Sequence, residues 1–372
     1  MIVGIEAAHA NKDHRTGVEN VCFELIQNLK NVIPSNVEVV LYSSSKLIDG
    51  LENLPNNWKV KILAWPLGKL WSQIRLSLEL WLHPLDIFIA PGQLIPFFTP
   101  KKTVAIVHDS AFKVFPHAYN FWGRQYLKWM NRRVVNSAAL IITPSQFSKN
   151  ELIKFYRIDE KKIIVDQLGY DKNFFRPLTT IEKERVPSIL KKYNINKPFL
   201  LSINRLEHKK NTKRIVEAFN ILKNDQDLQL VLVGKPGVGY TEIKSAIEQS
   251  KYKKDIYELG WVEEADLPFL LSVAELFLVP SIYEGFGITL LQAAACGCPV
   301  VASDTTSLPE VGSDAVLYVD PEHSEDIARG CNEILSDKAL RTGLIKKGLL
   351  LVQEFSWPKF TQFFWNEIVK LP

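Results

Sequence analysis

Two glycines, a glutamate and a glutamine stand close together in the stretch 280–292, Pro-Ser-Ile-Tyr-Glu-Gly-Phe-Gly-Ile-Thr-Leu-Leu-Gln. Gly285 and Gly287 allow the backbone to approach a ligand closely. Unpaired N–H groups at the start of the helix predicted to follow favour an anion. Glu284 on the turn and Gln292, about two helical turns further along, would bind hydroxyls. The stretch therefore suits a phosphorylated sugar, and the alternative is an ordinary strand-to-helix turn.

A basic segment, Arg205-Leu-Glu-His-Lys-Lys-Asn211, follows a predicted strand and opens a predicted helix. Two cations added to the helix-start amides would bind a diphosphate and stabilise it as it leaves. Lys210 is favoured over Lys209 as the second cation, and Asn211 is predicted to cap the helix. The alternative is a solvated basic turn.

His108 ends another predicted buried strand and is followed by Asp109. Its ring or its backbone carbonyl could hydrogen-bond a sugar hydroxyl or stabilise a developing positive centre. A structural histidine at a strand end is the alternative. Asp109 is predicted either to orient loop backbone or to act as a base.

Two further segments resemble known ligand motifs only in part. Asp225-Gln-Asp227 has a spacing that can hold a divalent metal, but it falls in a predicted helix-to-strand turn, where Asp is common. No metal is therefore expected. Gly234-Lys-Pro-Gly-Val-Gly239 lacks the Gly-Lys-Ser/Thr ending of a P-loop, and it is interpreted as a flexible loop.

A predicted helix at 122–136 combines cations with large aromatic side chains. Arg124, Lys128 and Arg132 recur every four residues, beside Trp122 and Trp129. A basic face next to aromatics suits an anionic membrane surface or a lipid-linked substrate. The alternative is a solvated basic face with the aromatics in the core.

The composition bounds the class of protein. With 372 residues the chain is longer than one ordinary domain, and 47% hydrophobic residues are ample for packed cores. The net charge of +4 is too small to indicate nucleic-acid binding. The four cysteines show no paired zinc spacing and fit a reducing, cytoplasmic setting. Residues 1–8 indicate a first strand and not a signal peptide, and no apolar run is long enough to span a membrane.

Apolar segments alternate with helical periodicity along the chain, which predicts two parallel sheets covered on both faces. Predicted strands lie at 2–8, 37–42, 60–63, 86–90, 103–107 and 140–143, then at 199–203, 228–233, 256–259, 275–279 and 299–302. The predicted domains are 1–170 and 198–354. A linker is predicted at 171–197, and a C-terminal helix at 355–372 is expected to pack back on the first domain. Ligands bind outside the carboxyl ends of such strands, so the polar loops at Gly17, Asp109, Arg205 and Glu284 are expected to meet in one crevice.

With these segments assembled, the chain resembles the retaining glycosyltransferases of family four. Four segments carry the resemblance: Arg-Thr-Gly-Val-Glu at 15–19, Val-His-Asp-Ser at 107–110, the basic segment at 205–211, and Glu-Gly-Phe-Gly-Ile-Thr-Leu-Leu-Gln at 284–292. The family has the GT-B fold, an α/β fold of two Rossmann-like doubly wound domains facing each other across a cleft. The resemblance implies that the domain at 1–170 binds the acceptor and the domain at 198–354 binds the nucleotide sugar. Within it the chain looks closest to the bacterial mannosyltransferase-like branch of polysaccharide assembly.

The resemblance implies roles for individual residues. Arg205 and Lys210 would bind the donor phosphates, Glu284 would hold hydroxyls of the transferred sugar, and His108 would sit near the reacting carbon. The loop at 260–262 would cradle the base through its backbone. The implied donor-binding residues are Gly17, Gly234, Trp261, Val262, Gly285, Phe286, Gly287, Ile288, Thr289, Leu290 and Gln292.

Gln292 is a departure, because the family commonly has a second glutamate there that holds the ribose hydroxyls. A glutamine still accepts one hydrogen bond but loses the charge-assisted one. This is expected to weaken a nucleoside contact and not the chemistry.

The resulting expectation is a metal-independent, retaining hexosyltransferase without a cofactor. It would use a nucleotide-diphosphate sugar, GDP-mannose first, and a saccharide or lipid-linked acceptor at the inner face of a membrane. The alternatives are a nucleotide-sugar epimerase or a phosphorylase on the same fold, and a catalytically silent sugar-nucleotide binder or membrane scaffold.

Overall fold

A computed structural model describes residues 1–66, 70–116 and 121–371. They form two compact units. Unit 1 comprises Met1–Gly169 and the segment from Ser356 onward, and unit 2 comprises Tyr170–Phe355. Each unit is built on one parallel sheet with helices, so the predicted two-domain α/β class is confirmed.

Unit 1 contains seven parallel strands in the order β3-β2-β1-β4-β5-β6-β7. The strands are β1 (Ile2–Glu6), β2 (Glu38–Ser43), β3 (Trp58–Ile62), β4 (Ile87–Ala90), β5 (Thr103–Ile106), β6 (Leu140–Thr143) and β7 (Ile163–Val165). Its helices in this part of the chain are α1 (Gly17–Val32), α2 (Ser77–Leu82), α3 (Ala111–Val114), α4 (Phe121–Ser137) and α5 (Gln146–Tyr156). Ser145 caps α5, since its hydroxyl accepts a hydrogen bond from Ser148 N at 3.1 Å.

Unit 2 contains six parallel strands in the order β10-β9-β8-β11-β12-β13. The strands are β8 (Phe199–Ile203), β9 (Gln229–Val233), β10 (Ile256–Gly260), β11 (Leu276–Val279), β12 (Val300–Ser303) and β13 (Leu317–Val319). Its helices are α6 (Thr180–Lys183), α7 (Val186–Lys192), α8 (Thr212–Leu222), α9 (Tyr240–Gln249), α10 (Leu267–Val273), α11 (Ile288–Ala295), α12 (Leu308–Gly312), α13 (Ser324–Ser336) and α14 (Lys338–Leu351).

The two sheets repeat one topology. In each, the first strand lies between the second and the fourth, so the chain winds outward in both directions from a central pair. The central strands are apolar on both faces because helices cover both sides; β4, β6, β9 and β11 are buried throughout. This is the doubly wound Rossmann arrangement.

The segment 171–197 is not a simple linker. It contains α6 and α7 and belongs to unit 2. Ile189 is buried on α7, and Lys192 at the end of this helix donates to Asp266 Oδ2 at 2.7 Å. The prolines that interrupt this stretch begin or flank short helices, which is why its sequence pattern looked irregular.

The last helix, α15 (Trp357–Val369), belongs to unit 1 and packs on α1. It also approaches Asp166, which follows β7 and is buried. The Oδ2 atom of Asp166 has no hydrogen-bond partner within the described ranges. Burial raises the pKa of Asp166 to about 8; Glu367 on α15 adds to this shift and Lys359 opposes it.

All four cysteines are buried and unpaired. Burial raises the pKa of Cys296 and of Cys331 to about 12, so both thiols stay protonated at neutral pH. Over the ranges described, no helix is both long enough and apolar enough to cross a bilayer.

Candidate functional site

The predicted donor-site segments of unit 2 follow four neighbouring strands of its sheet. Arg205 and Lys210 come after β8, Gly234 after β9, Trp261 after β10 and Glu284 after β11. Strands β8 and β11 are adjacent, and the chain winds away from them in opposite directions. Open α/β sheets bind ligands at such a switch point, outside the carboxyl ends of the strands.

Lys210 and Glu284 meet at this switch point. Lys210 Nζ donates to Glu284 Oε1 at 2.5 Å, and Ser281 Oγ donates to the same oxygen at 3.0 Å. Only 17% of the lysine side chain and 12% of the glutamate side chain are exposed. A cation and a carboxylate from segments 74 residues apart are thus held side by side.

Asn211 fixes the position of this lysine, but not as predicted. It precedes α8 with left-handed backbone (φ 62°), and its side chain makes no cap hydrogen bond to the helix. Instead the side-chain amide donates to the carbonyls of Pro280 at 2.9 Å and Pro321 at 2.7 Å. The amide therefore ties the basic segment to the loops after β11 and β13, because a buried carbonyl in each loop needs a donor.

The backbone of Glu284 is also held. Its N–H donates to Thr306 Oγ1 at 3.3 Å, and Ser307 Oγ donates to its carbonyl at 3.0 Å. Ser303 Oγ donates to the carbonyl of Ser281 at 2.6 Å. The carboxylate is therefore presented from a loop that has little freedom to move.

Helix α11 begins directly after this loop. Gly287 has φ +99°, and a Cβ there would lie 2.6 Å from a methyl of Leu308, so glycine is required. The N–H of Leu290 donates to the Gly287 carbonyl at 3.0 Å. The N–H groups of Ile288 and Thr289 have no acceptor within the helix, so they are suited to bind an anion.

Gly234 brings the loop after β9 close to the loop after β8. Its φ is +139°, and an added Cβ would lie 1.9 Å from the Asn204 carbonyl oxygen. Its N–H donates to the Gly260 carbonyl at 2.8 Å. Arg205 is exposed beside this loop, and Lys235 Nζ lies 5.2 Å from the ring centre of the exposed Trp261.

The loop at 234–239 is more ordered than its glycines predicted. Leu206 pairs with Pro236 in a short parallel bridge. Gly237 N donates to the Leu206 carbonyl at 2.8 Å, and His208 N donates to the Val238 carbonyl at 2.9 Å. The prediction of a flexible loop was therefore wrong, because these hydrogen bonds join it to the basic segment.

The remaining predicted donor residues of unit 2 are buried or only partly exposed. Phe286 is buried, with its ring centre 6.1 Å from that of Phe355. Val262 is buried after β10. Gly285 and Gln292 are partly exposed, the latter on α11.

In unit 1, Gly17 begins α1 and is exposed, with no atom within 4 Å of the position that a Cβ would take. The turn before it is fixed by Glu19 Oε2, which accepts from Thr16 N at 2.9 Å. The structure therefore leaves open space at Gly17 for an approaching group.

His108 is buried behind the carboxyl end of β5. Its ring Nε2 donates to the Pro91 carbonyl at 2.9 Å, and its own carbonyl accepts from Ser148 Oγ at 3.2 Å. Burial lowers its pKa, so the ring is neutral at pH 7, which leaves Nδ1 as an acceptor. Asp109 Oδ1 accepts from Ala111 N at 3.1 Å, so this carboxylate orients loop backbone.

Glu6 and His9 were not predicted from the sequence as functional residues. Glu6 ends β1 in a buried position, and its Oε2 lies 2.7 Å from Nδ1 of His9. The detectable signal was an acidic residue within an otherwise apolar first strand, followed three residues later by a histidine.

Two family models match the chain. "Glycosyltransferase Family 4" matches residues 15–174, and "Glycosyl transferases group 1" matches residues 186–349. The first match covers strands β2 to β7 of unit 1, and the second covers all six strands of the unit 2 sheet. Both include the predicted site segments of their unit. The chain belongs to family four of the glycosyltransferases.

Individual relatives agree with this assignment. The glycosyltransferase is 28% identical to O-antigen chain mannosyltransferase B of Escherichia coli over 93% of this chain and 94% of the relative. Sucrose-phosphate synthase of Thermosynechococcus elongatus has a similar fold, with a TM-score of 0.78 at 17% identity over 100% of this chain and 98% of that one. HepE of Anabaena, solved with UDP-glucose, gives 0.77 at 17% identity over the whole of both chains. The GT-B fold and the likeness to the mannosyltransferase branch are thereby confirmed.

Helix α4 of the glycosyltransferase carries the predicted basic face. Arg124 and Lys128 are half-buried and Arg132 is exposed. Trp122 is 80% exposed and Trp129 is also exposed, so the alternative that these aromatics lie in the core is wrong. The buried side of the helix is formed instead by Met130, Asn131, Val134 and Val135.

Asp225 and Asp227 do not form a joint site. Asp227 Oδ1 accepts from Lys223 at 2.7 Å and from Lys197 at 3.0 Å, and these lysines hold its pKa below the usual range. Its carboxylate is thus already neutralised by two cations at the surface.

Taken together, the switch point of unit 2 offers a positive charge, the first amides of α11 and a carboxylate within one small region. The cation and amides suit phosphate oxygens, and the carboxylate suits sugar hydroxyls. This pairing is what a glycosyltransferase needs to bind a phosphorylated sugar donor.

Proposed function

We propose that the protein transfers a hexose, mannose in the first place, from a nucleotide-diphosphate sugar to a saccharide or lipid-linked acceptor in polysaccharide assembly, with retention of anomeric configuration. The contact that carries the proposal is the Lys210–Glu284 pair beside the start of α11. The likeness to an O-antigen mannosyltransferase favours mannose as the sugar.

In the proposed reaction, Arg205, Lys210 and the first amides of α11 bind the diphosphate. The bond from the sugar C1 to the phosphate oxygen breaks, and the electron pair passes to that phosphate, whose charge these donors stabilise. The acceptor hydroxyl attacks on the same face, and its proton passes to the departing phosphate oxygen. Because protein cations offset the developing charge, the reaction is proposed to need neither a metal nor a cofactor.

Glu284 and Gln292 are proposed to bind the two sugars of the donor. Glu284 would accept hydrogen bonds from hydroxyls of the transferred hexose, while Gln292 on α11 would contact the ribose through a neutral amide. Trp261 and Val262 would line the base, with the backbone of β10's end supplying the contacts. Gly17 and His108 of unit 1 are proposed to complete donor binding.

The donor is tested by thermal shift and turnover with GDP-mannose, UDP-glucose, ADP-glucose and dTDP-glucose, each with and without EDTA. We expect GDP-mannose to stabilise the protein most, by about 2.7 kcal/mol at a hundredfold excess over Kd, and EDTA to change nothing. Proton NMR of the product should show the donor's anomeric configuration.

Other outcomes of this screen would contradict the proposal. If another donor stabilises the protein most, the sugar of that donor would replace mannose in the proposal, and the proposed type of reaction would stand. Phosphate-dependent formation of a sugar phosphate, with the absorbance of a lysine-bound pyridoxal, would indicate a phosphorylase. Conversion of a nucleotide sugar to its epimer would indicate an epimerase, and binding without any turnover would indicate a silent binder.

We also propose that unit 1 contacts an anionic membrane, which would give access to a lipid-linked acceptor at the inner face. Exposed apolar side chains on α2 and on the adjoining loop lie near the basic helix: Leu78, Trp81, Leu82, Phe97 and Phe98. Phe98 N donates to Ser77 Oγ at 3.1 Å, and the Arg133 guanidinium lies 4.9 Å from the Phe97 ring and 5.6 Å from the Trp129 ring. These contacts join α2, the loop and α4 into one surface with apolar and cationic parts.

Co-sedimentation with vesicles tests this contact. We expect binding to vesicles with 30% anionic lipid and little binding to neutral ones, because each cation near such a surface contributes about 1 kcal/mol. Changing Arg124, Lys128 and Arg132 to glutamine should abolish binding. The matched control changes Lys251, Lys253 and Lys254 of unit 2 to glutamine. Equal loss in both variants, or no binding by the wild type, would reject the proposed surface.

A further inference from the structure

The pair formed by Glu6 and His9 lies outside the residues that the proposed donor site uses. Glu6 is 1% exposed. Its Oε2 contacts His9 Nδ1 at 2.7 Å and its Oε1 accepts from His9 N at 3.2 Å. Across 1–66, 70–116 and 121–371, this carboxylate has no other hydrogen-bond or ion-pair partner. A buried carboxylate that hydrogen-bonds to a single imidazole fixes that ring in one orientation.

The pair occupies the switch point of the sheet in unit 1. Glu6 ends β1, and the ring of His9 lies against Gly92, which follows the neighbouring strand β4. A Cβ at Gly92 would lie 2.7 Å from the ring. The glycine therefore makes the space that the ring fills, at the place where doubly wound sheets bind ligands.

The loop after β4 is itself held in place. His108 Nε2 donates to the Pro91 carbonyl at 2.9 Å. The Gln93 side chain donates to the Asp109 carbonyl at 3.2 Å and to Asn131 Oδ1 at 3.1 Å. The wall behind His9 is thus fixed on one side by Glu6 and on the other by this loop.

The outer nitrogen of the ring, Nε2, has no partner in the described part of the chain, and 29% of the side chain is exposed. With Nδ1 engaged by Glu6, Nε2 accepts a hydrogen bond when the ring is neutral and donates one when it is charged. A hydroxyl is the group that can satisfy both states. Sugar acceptors present hydroxyls, so the arrangement suits a saccharide.

We propose that Glu6 and His9 anchor the acceptor saccharide on unit 1, with His9 Nε2 hydrogen-bonded to one of its hydroxyls and Glu6 acting as the positioning residue. The inference rests on the proposed transfer function, because that reaction requires an acceptor. It assigns to this chain a hydroxyl-binding group that the donor site does not contain.

Saccharide binding is measured first by ¹⁵N NMR of histidine-labelled, full-length protein titrated with methyl α-mannoside, methyl α-glucoside and methyl β-galactoside. At least one glycoside should shift the His9 Nε2 resonance. His9→Ala should raise the KM for that glycoside as acceptor by about 10- to 100-fold, the range expected for losing a strong hydrogen bond. Donor KM and acceptor-independent donor hydrolysis should not change.

Two further variants separate binding from folding. Gly92→Ala keeps His9 but displaces its ring, and should reproduce the rise in acceptor KM. His14→Ala removes an exposed histidine from the same loop and should leave acceptor KM unchanged. Thermal unfolding of each variant shows whether the fold is intact. A rise in donor KM, or a fall in kcat at unchanged acceptor KM, would overturn the assignment.

Glu6→Gln tests the positioning role through the titration of His9. Glu6 raises the pKa of His9 more than any other group, Glu19 adds to this, and burial and Lys12 oppose it; the nearby His108 is affected in turn. Loss of the carboxylate should therefore move the His9 titration to lower pH. An unchanged titration, or a wild type that binds none of the glycosides, would overturn the proposal. Failure of donor turnover alone would reject the proposed function, while the NMR titration would still decide this site.

Discussion

Replacing Lys210 with alanine should reduce kcat/KM for the nucleotide sugar by about 10²- to 10³-fold, the effect typical of losing one charge-stabilising donor. The lysine would bind the diphosphate and stabilise the charge that grows on it as the sugar leaves. Its loss has a second effect, because Glu284 then retains Ser281 as its one side-chain donor among the residues that the structure describes. The carboxylate would stand uncompensated beside the phosphates and repel them.

The neighbouring lysine provides a matched control. Lys209 lies on the same turn, and its Nζ is 3.6 Å from Glu207 Oε1, whereas Glu284 is paired with Lys210. Lys209→Ala should change turnover by less than about tenfold. Adding Glu284→Gln to Lys210→Ala should recover part of the donor affinity but not kcat, since it removes the repulsion while the glutamine still accepts a hydrogen bond from the hexose. Near-normal turnover by folded Lys210→Ala would refute the role.

Asp166→Asn should stabilise unit 1 at alkaline pH and have little effect near pH 4. The pKa of Asp166 is about 8 in the folded protein, against 3.8 when the group is unperturbed. The folded state therefore holds this proton more tightly than the unfolded state, and stability is lost as the pH rises from about 4 to about 8. An asparagine never ionises, so the loss should disappear. The gain at pH 9 is expected to be a few kcal/mol, or several degrees in Tm.

Thermal unfolding of the wild type and the variant at pH 5, 7 and 9 measures this difference. Asp13→Asn serves as the control, because Asp13 is exposed and its replacement should shift Tm equally at all three values. A gain for Asp166→Asn that does not grow with pH would show that the buried carboxyl is not the cause. A lower Tm at pH 9 would show the same.

The layers of the fold were predictable from local patterns. Strands such as Leu276–Val279 are apolar throughout because both faces are covered, and the C-terminal helix predicted at 355–372 is present as α15 (Trp357–Val369). The segment at 171–197 was not predictable in the same way. Its helices α6 and α7 are too short to show a period, and they gain stability from tertiary contacts such as that between Lys192 and Asp266.

The site was predictable as a set of segments but not as a set of contacts. Glycines at positive φ and cations after strands can be read locally, and Gly234 and Gly287 fulfil that expectation. The role of Asn211 could not be read, because the carbonyls it binds lie 69 and 110 residues away. Asparagine before a helix is usually a cap, and here two buried acceptors compete successfully for its amide.

Lys210 and Glu284 form an ion pair within the proposed donor site. The Glu284 carboxylate therefore competes with the donor phosphates for the Lys210 ammonium group. When a nucleotide sugar binds, Lys210 must weaken or break its ion pair with Glu284. The binding free energy of the donor therefore reflects the difference between the lysine–phosphate and the lysine–carboxylate ion pairs. After transfer the sugar no longer hydrogen-bonds to Glu284. The carboxylate can then form its ion pair with Lys210 again, in competition with the nucleoside diphosphate product. The pair therefore favours release of product, and Glu284→Gln is expected to make the nucleoside diphosphate a stronger product inhibitor.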